Sequence, residues 1–296
     1  MKFFAVSSQT KADLAAHGLT PDLVIDQVIR AFMEDLAGGE DVTSVATISN
    51  DLESTAQFQS RGVGVVAGIP VAQVALELVG VKHNEVVIHC AHRVEAGTVL
   101  LRTHGSTRAI LLAERTALNF LGHLSGIATL TRHWVDEVGD LGVKIRDTRK
   151  TTPGLRELEK YAVRMGGGTN HRISLSESAL IKDNHIAAAG GITPAFTKVR
   201  QRYPDLEIEI EVDTLEQLSE AVELRPDLIL LDNMSVELCR QAVKIVAGRC
   251  QLEASGGLAL ANARDYAATG VDYLAVGALT HSAPVLDIGL DLKAET

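Results

Sequence analysis

The chain has 296 residues, 46% of them hydrophobic but only 4% aromatic, and a formal net charge of −10. That length allows one large domain or two ordinary ones around an aliphatic core, and it excludes a disordered chain. The acidic balance excludes general nucleic-acid affinity, and Cys90, Cys239 and Cys250, odd in number with no C-x-x-C pairing, exclude a disulfide framework and a zinc site. A reducing, cytoplasmic setting is expected. The apolar patch at 3–6 is too short for a signal peptide, and no run approaches membrane-spanning length.

Taken in order, Thr20-Pro21 predicts a helix over 22–35 with proline at its first position. Alternating segments at 56–60 and 86–90 predict strands, with a helix over 70–79 between them. Ala96-Gly97-Thr98 is a turn before another short strand. A helical pattern then runs over 107–138, with a break expected near Gly122 or Gly126. From residue 143 the rhythm changes to short apolar strands alternating with helices, the βα pattern of a parallel sheet or barrel. Strands are predicted at 143–149, 178–182, 207–213, 228–233, 250–255 and 273–277. Thr193-Pro194 starts one intervening helix, and Thr214 with Gln217 makes a capping box at the next.

Each of these strands ends in residues too polar for a core: Arg149-Lys150, Lys182-Asp183-Asn184, Glu211 with Asp213, Asp232-Asn233, Ser255-Gly256-Gly257 and Gly277-Ala278. In (β/α) barrels the C-terminal strand ends form the active-site face. Charge is concentrated there as well. Residues 144–182 carry nine basic and four acidic side chains, a local +5 that leaves −15 for the remainder. A basic island in an acidic protein reads as a site for a small anion.

Arg149 and Arg172 offer planar forks to a carboxylate or phosphate, and Lys150 and Lys182 offer compact charges. A solvated basic surface is the alternative, and it is the expectation for Arg156, Lys160 and Arg164, whose i, i+4, i+8 spacing describes one exposed helix face. Glu211 and Asp232 end adjacent strands, so their carboxylates should converge, either on Mg²⁺ shared with substrate oxygens or on neighbouring cations. Glu207 and Glu209 are in phase with Glu211 and are either lumen residues with it or edge charges. Ser255-Gly256-Gly257 and Gly277-Ala278 suit a phosphate cradle or simple turns. The G-x-G-x-x-A run at 62–67 sits in an apolar strand-like stretch and carries little weight, His89 and His92 lack a third ligand, and no P-loop is present.

Longer motifs resemble the quinolinate phosphoribosyltransferase (nicotinate-nucleotide pyrophosphorylase) family over nearly the whole chain. They include Glu34-Asp35, Asp41-Val42-Thr43-Ser44, Glu114-Arg115-Thr116-Ala117-Leu118-Asn119 and Leu124-Ser125-Gly126-Ile127-Ala128-Thr129. They continue through Asp147-Thr148-Arg149-Lys150-Thr151-Thr152-Pro153-Gly154, Gly166-Gly167-Gly168-Thr169-Asn170-His171-Arg172, Leu180-Ile181-Lys182-Asp183-Asn184-His185, Glu211-Val212-Asp213, Leu231-Asp232-Asn233 and Glu253-Ala254-Ser255-Gly256-Gly257.

The resemblance implies an α/β fold: an N-terminal α/β open sandwich (1–115, joined by 280–296) and an incomplete α/β barrel (116–279), the type II phosphoribosyltransferase fold. It implies a pentosyltransferase of NAD biosynthesis that joins quinolinate to 5-phosphoribosyl-1-pyrophosphate, releasing pyrophosphate and CO₂ to leave nicotinate mononucleotide. Quinolinate would be held by Thr148, Arg149, His171, Arg172 and Lys182, with Arg115 reaching in from the partner of a homodimer or larger assembly of dimers. Lys150, Glu211, Asp232, Ser255, Gly256, Gly257, Val276, Gly277 and Ala278 would hold the phosphoribosyl substrate. Lys150, Lys182, Glu211 and Asp232 would be catalytic, with Mg²⁺ at Glu211 and Asp232 largely through substrate.

Three rivals remain at this stage. One is a paralogous phosphoribosyltransferase of the molybdenum-operon type with another substrate. The others are an aldolase using Lys182 as a Schiff base and a non-enzymatic anion-binding module.

Overall fold

A computed structural model describes residues 3–294. The first stretch contains α1 (Ser8–Ala16), α2 (Pro21–Leu36), α3 (Val42–Thr47), β1 (Glu53–Ser60), β2 (Gly64–Val65), α4 (Ile69–Leu78), β3 (His83–Val86), β4 (Arg93–Val94), β5 (Val99–Ser106) and α5 (Thr107–Val138). There follow β6 (Lys144–Arg146), α6 (Arg156–Met165), β7 (Ala179–Ile181), α7 (Asp183–Ala189), α8 (Ile192–Arg202), β8 (Ile208–Val212) and α9 (Leu215–Glu223). The chain ends through β9 (Leu228–Asp232), α10 (Val236–Val246), β10 (Gln251–Ser255), α11 (Ala263–Ala267), β11 (Tyr273–Ala275), α12 (Ala278–His281) and β12 (Ile288–Ala294).

Two compact units result. One takes the chain as far as Leu130 together with Thr152–Gly167 and the segment from Ser282, and the other takes Thr131–Thr151 and Gly168–His281. A boundary at 115 therefore falls inside α5, a continuous helix of 32 residues.

In the first unit β12, β1, β5 and β3 form an antiparallel sheet in that order. Strand β1 turns Ser54, Ala56, Phe58 and Ser60 inward, the period of two that a half-buried strand requires. All ten residues of helix α4 are buried, including Glu77, whose carboxylate accepts from Ser7 and Thr10. The strand expected at 86–90 lies at 83–86 instead. Val87 and Ile88 both donate to the Leu100 carbonyl, and this doubled bond ends the ladder with β5.

The expected break in α5 is absent, and the reason is steric. A Cβ on Gly126 would overlap the carbonyl oxygen of Pro284 and lie 3.0 Å from its carbonyl carbon. One on Gly122 would lie 3.0 Å from the Leu286 carbonyl oxygen, whose own amide donates to Gly122. These glycines admit the C-terminal segment and do not end the helix. Gly64 serves packing as well: a Cβ there would sit 2.6 Å from Thr129 Oγ1, which accepts the Val65 amide at 2.8 Å. The face expected to be solvated on α6 is not. Lys160 is 1% exposed and Arg164 donates to the His17 carbonyl at 2.7 Å. The spacing identifies one face, but it does not say which medium that face meets.

The second unit is a parallel sheet ordered β6-β11-β10-β9-β8-β7. All six predicted strands are present, each shorter than expected, and because the sheet is parallel their polar C-terminal residues emerge along one edge. Among the described residues the end strands β6 and β7 do not pair, which leaves the barrel incomplete. Thr214 caps α9, accepting the Gln217 amide at 3.2 Å, while Gln217 accepts the Asp213 amide at 2.7 Å. Thr214→Ala is expected to cost about 1 kcal/mol of stability, read as a lower urea midpoint with an unchanged slope.

Candidate active site

The polar strand ends of the second unit enclose a cavity of about 460 Å³. Thr148, Arg149, Lys150, His171, Arg172, Lys182, Glu211, Asp232, Ser255, Gly256 and Gly257 all line it, so the structure brings together most of the residues singled out from the sequence.

Arg172 is 8% exposed, and its Nη1 donates to the Ser178 carbonyl at 2.7 Å. Its Nε is buried with no hydrogen-bond partner among the described residues. Burial and the neighbouring Arg149 guanidinium both lower its pKa from the ordinary value. A buried cationic donor left unmatched is costly unless an anion completes it. In the same cavity Lys182 pairs with Glu211. Asp232 ends β9, and Glu211 is the next-to-last residue of the adjacent strand β8.

Asp232 is steered by its neighbour. Asn233 sits at φ 53°, donates its amide to the Ser255 carbonyl at 2.8 Å, and donates Nδ2 to Asp232 Oδ2 at 2.7 Å. Gly256 makes this possible: at φ +87°, a Cβ would overlap Asn233 Oδ1 and lie 3.0 Å from the Asn233 amide nitrogen. Gly256→Ala is therefore expected to displace Asp232 and lower kcat/KM at least tenfold, about 1.4 kcal/mol of barrier. Steady-state kinetics on the folded variant provide the check.

Beneath the cations lies a layer of buried ionisable groups. Glu209, taken from sequence as either a lumen residue or an edge charge, is buried and meets His171 Nε2 at 2.7 Å, whereas Glu207 is exposed. Arg146 Nη1 meets Glu253 Oε2 at 2.8 Å. Burial pushes both glutamates up to about 7, opposed in each case by the Arg146 guanidinium. Sequence reading missed Glu253 and Arg146 as functional candidates. The available signal was a charged residue in mid-strand, flanked by the apolar Leu252 and Ala254.

Not every expected residue joins this cavity. Val276 is buried and donates its amide to the Arg146 carbonyl at 2.8 Å. Gly277 and Ala278 stand at the start of α12 beside Lys150. A Cβ on Gly277 would lie 3.1 Å from Lys150 Cδ, and Thr280 Oγ1 donates to the Lys150 carbonyl at 2.7 Å. Arg115 belongs to the first unit, where it lines a separate cavity of about 460 Å³ with Arg30, Asn119 and His123.

Residues 41–125 match the N-terminal domain of quinolinate phosphoribosyl transferase, and 127–291 match its C-terminal domain. The chain belongs to the quinolinate phosphoribosyltransferase family. Within that family it is 50% identical over 277 residues to a nicotinate-nucleotide pyrophosphorylase [carboxylating] of Mycobacterium leprae, covering 92% of this chain and 98% of that one. A probable nicotinate-nucleotide pyrophosphorylase of Bacillus subtilis is 41% identical, over 88% of this chain and 90% of its own. The crystal structure of NadC from Streptococcus pyogenes superposes with a TM-score of 0.89 at 38% identity, covering 94% of this chain and 99% of that one. Quinolinate phosphoribosyltransferase membership across both domains disfavours the paralogous transferase and leaves the aldolase reading without support.

Proposed function

We propose that this chain transfers the phosphoribosyl group of 5-phosphoribosyl-1-pyrophosphate to quinolinate and releases CO₂, yielding nicotinate mononucleotide for NAD biosynthesis. The observation that carries this reading is Arg172, buried beside Arg149 with an unmatched Nε and lining one cavity with Lys182, Glu211 and Asp232. A dicarboxylate and a pyrophosphate repel one another, and closely spaced cations offset that repulsion. Arg149, His171 and Arg172 take the carboxylates, and Lys150, Ser255, Gly256 and Gly257 take the phosphoribosyl end.

The ring nitrogen forms a bond to the ribose C1 as the C1–O bond breaks, and pyrophosphate departs with that electron pair. Glu211 and Asp232 stabilise the positive charge that develops on the ribose. The 2-carboxylate then leaves as CO₂, its bonding pair stays on the ring carbon beside the cationic nitrogen, and a proton replaces it. Positioning and charge placement supply the acceleration, without a covalent protein nucleophile.

The paired oxygen donors of Glu211 and Asp232 suit Mg²⁺, a hard cation that takes carboxylate and phosphate oxygens. When bound it neutralises pyrophosphate charge. Lys182, already paired with Glu211, is placed to bridge the two substrates.

The assembly is a homodimer, or a larger assembly of dimers, in which Arg115 acts on the partner's site. The three free cysteines favour a cytoplasmic location, and among the described residues no helix is long and apolar enough to cross a membrane.

Release of CO₂ from carboxyl-labelled quinolinate should require both 5-phosphoribosyl-1-pyrophosphate and Mg²⁺ and stop on chelation. Release that persists without the phosphoribosyl donor would contradict the reading. Mixing inactive Arg115→Ala and Lys182→Ala proteins should restore part of the activity through hybrid dimers. No recovery after proven subunit exchange would count against a shared site.

A further inference from the structure

Glu209 on β8 and Glu253 on β10 are 3% and 0% exposed, and His171 between them is 7% exposed. One candidate ligand atom from each of the three lies within 4.8 Å of the others. His171 Nε2 stands 2.7 Å from Glu209 Oε2 and 3.9 Å from Glu253 Oε1. The first distance is a hydrogen bond, and it is shorter than the roughly 3.3 Å that separates two atoms sharing a tetrahedral zinc with bonds of about 2.0 Å. The other flank of Glu253 is occupied by Arg146, whose guanidinium also covers the Tyr273 ring at 4.6 Å. A proton fits this arrangement better than a metal ion.

The charge balance says where that proton belongs. Two buried carboxylates face one guanidinium, and a buried charge without a counter-charge is not tolerated. Protonation of His171 supplies the counter-charge. Asp147, just after β6, accepts the His171 amide at 2.9 Å, and Arg149, Arg172 and Lys182 line the same cavity as His171. Asp147 adds negative charge, and Arg172 opposes the burial that raises Glu209. Glu209 Oε1 and Glu253 Oε1 are buried without hydrogen-bond partners among the described residues, so neither glutamate is spent on a backbone role through that atom.

We propose that Glu253 and Arg146 are positioning residues for the dicarboxylate: with Glu209 they hold His171 as an imidazolium, so the pocket floor carries a fixed cation beside Arg172. An imidazolium donates from both ring nitrogens, whereas a neutral ring would offer the substrate no charge. The inference rests on the quinolinate reading for the identity of the anion, but not for the charge on the ring.

The test is ¹⁵N NMR of the histidine side chains at pH 8, with the His171 signals assigned by their loss in His171→Asn. Both His171 nitrogens should be protonated in the unsubstituted protein, and the ring should become neutral in Glu253→Gln. Calorimetry should show quinolinate affinity falling at least tenfold in Glu253→Gln, partly restored in Glu253→Asp, with phosphoribosyl-substrate affinity unchanged within twofold. A neutral His171 in the unsubstituted protein overturns the proposal whatever the protein binds. So does unchanged quinolinate affinity in a folded Glu253→Gln. An imidazolium in a protein that ignores quinolinate upholds the charge assignment and overturns the substrate reading instead.

Discussion

Replacing Arg172 by alanine is expected to raise the dissociation constant for quinolinate about a hundredfold, while that for 5-phosphoribosyl-1-pyrophosphate moves less than threefold. The asymmetry follows from placement. Arg172 is anchored by its bond to the Ser178 carbonyl, which leaves the buried Nε to meet an incoming carboxylate. A hydrogen bond to a charged group contributes about 1.5–3 kcal/mol, and about 2.7 kcal/mol corresponds to the hundredfold loss. In the proposed assignment the phosphoribosyl end is held instead by Lys150 and the Ser255-Gly256-Gly257 turn. Calorimetric titration with each substrate alone separates the two, and equal losses would contradict the assignment.

Gly126→Ala is expected to be the most damaging single methyl in the first unit, costing about 3 kcal/mol, the top of the usual range for overpacking a filled interior. The new Cβ would strike the Pro284 backbone, and no side-chain rotation relieves a backbone overlap. The C-terminal segment would have to lift away from α5, disturbing the approach of β12 to its partner β1. A lower urea midpoint with reduced cooperativity is the expected observation. A midpoint within 0.5 kcal/mol of the unsubstituted protein would show that the segment yields easily. Gly122→Ala should cost less, because part of its obstruction is the Val285 side chain, which can turn aside.

The barrel half was legible from sequence because burial on both faces forces continuous apolar strands, and their polar ends therefore stand out. Lys182, Glu211, Asp232 and Ser255 were found by that contrast before any resemblance was invoked. Two readings failed for one shared reason: the deciding partner is remote in the chain. Gly122 and Gly126 looked like helix breakers, but residues 284–286 turn them into close-approach sites. Lys160 kept the spacing of a solvated face, yet it is buried, and Arg164 on that face donates to the His17 carbonyl. Glu253 was passed over although it sits within a quoted motif, because nothing in its local sequence announces the pairing with Arg146 more than a hundred residues earlier.

The central claim is that the cation pocket selects a dicarboxylate. It is tested most directly by steady-state turnover with quinolinate or nicotinate as the acceptor, at fixed 5-phosphoribosyl-1-pyrophosphate and Mg²⁺, following nicotinate mononucleotide and CO₂. Product and stoichiometric CO₂ are expected from quinolinate, with nicotinate at least a thousandfold poorer in kcat/KM, a difference of about 4 kcal/mol for the carboxylate lost. Comparable turnover of nicotinate, or no product from quinolinate by the folded protein, would contradict the claim.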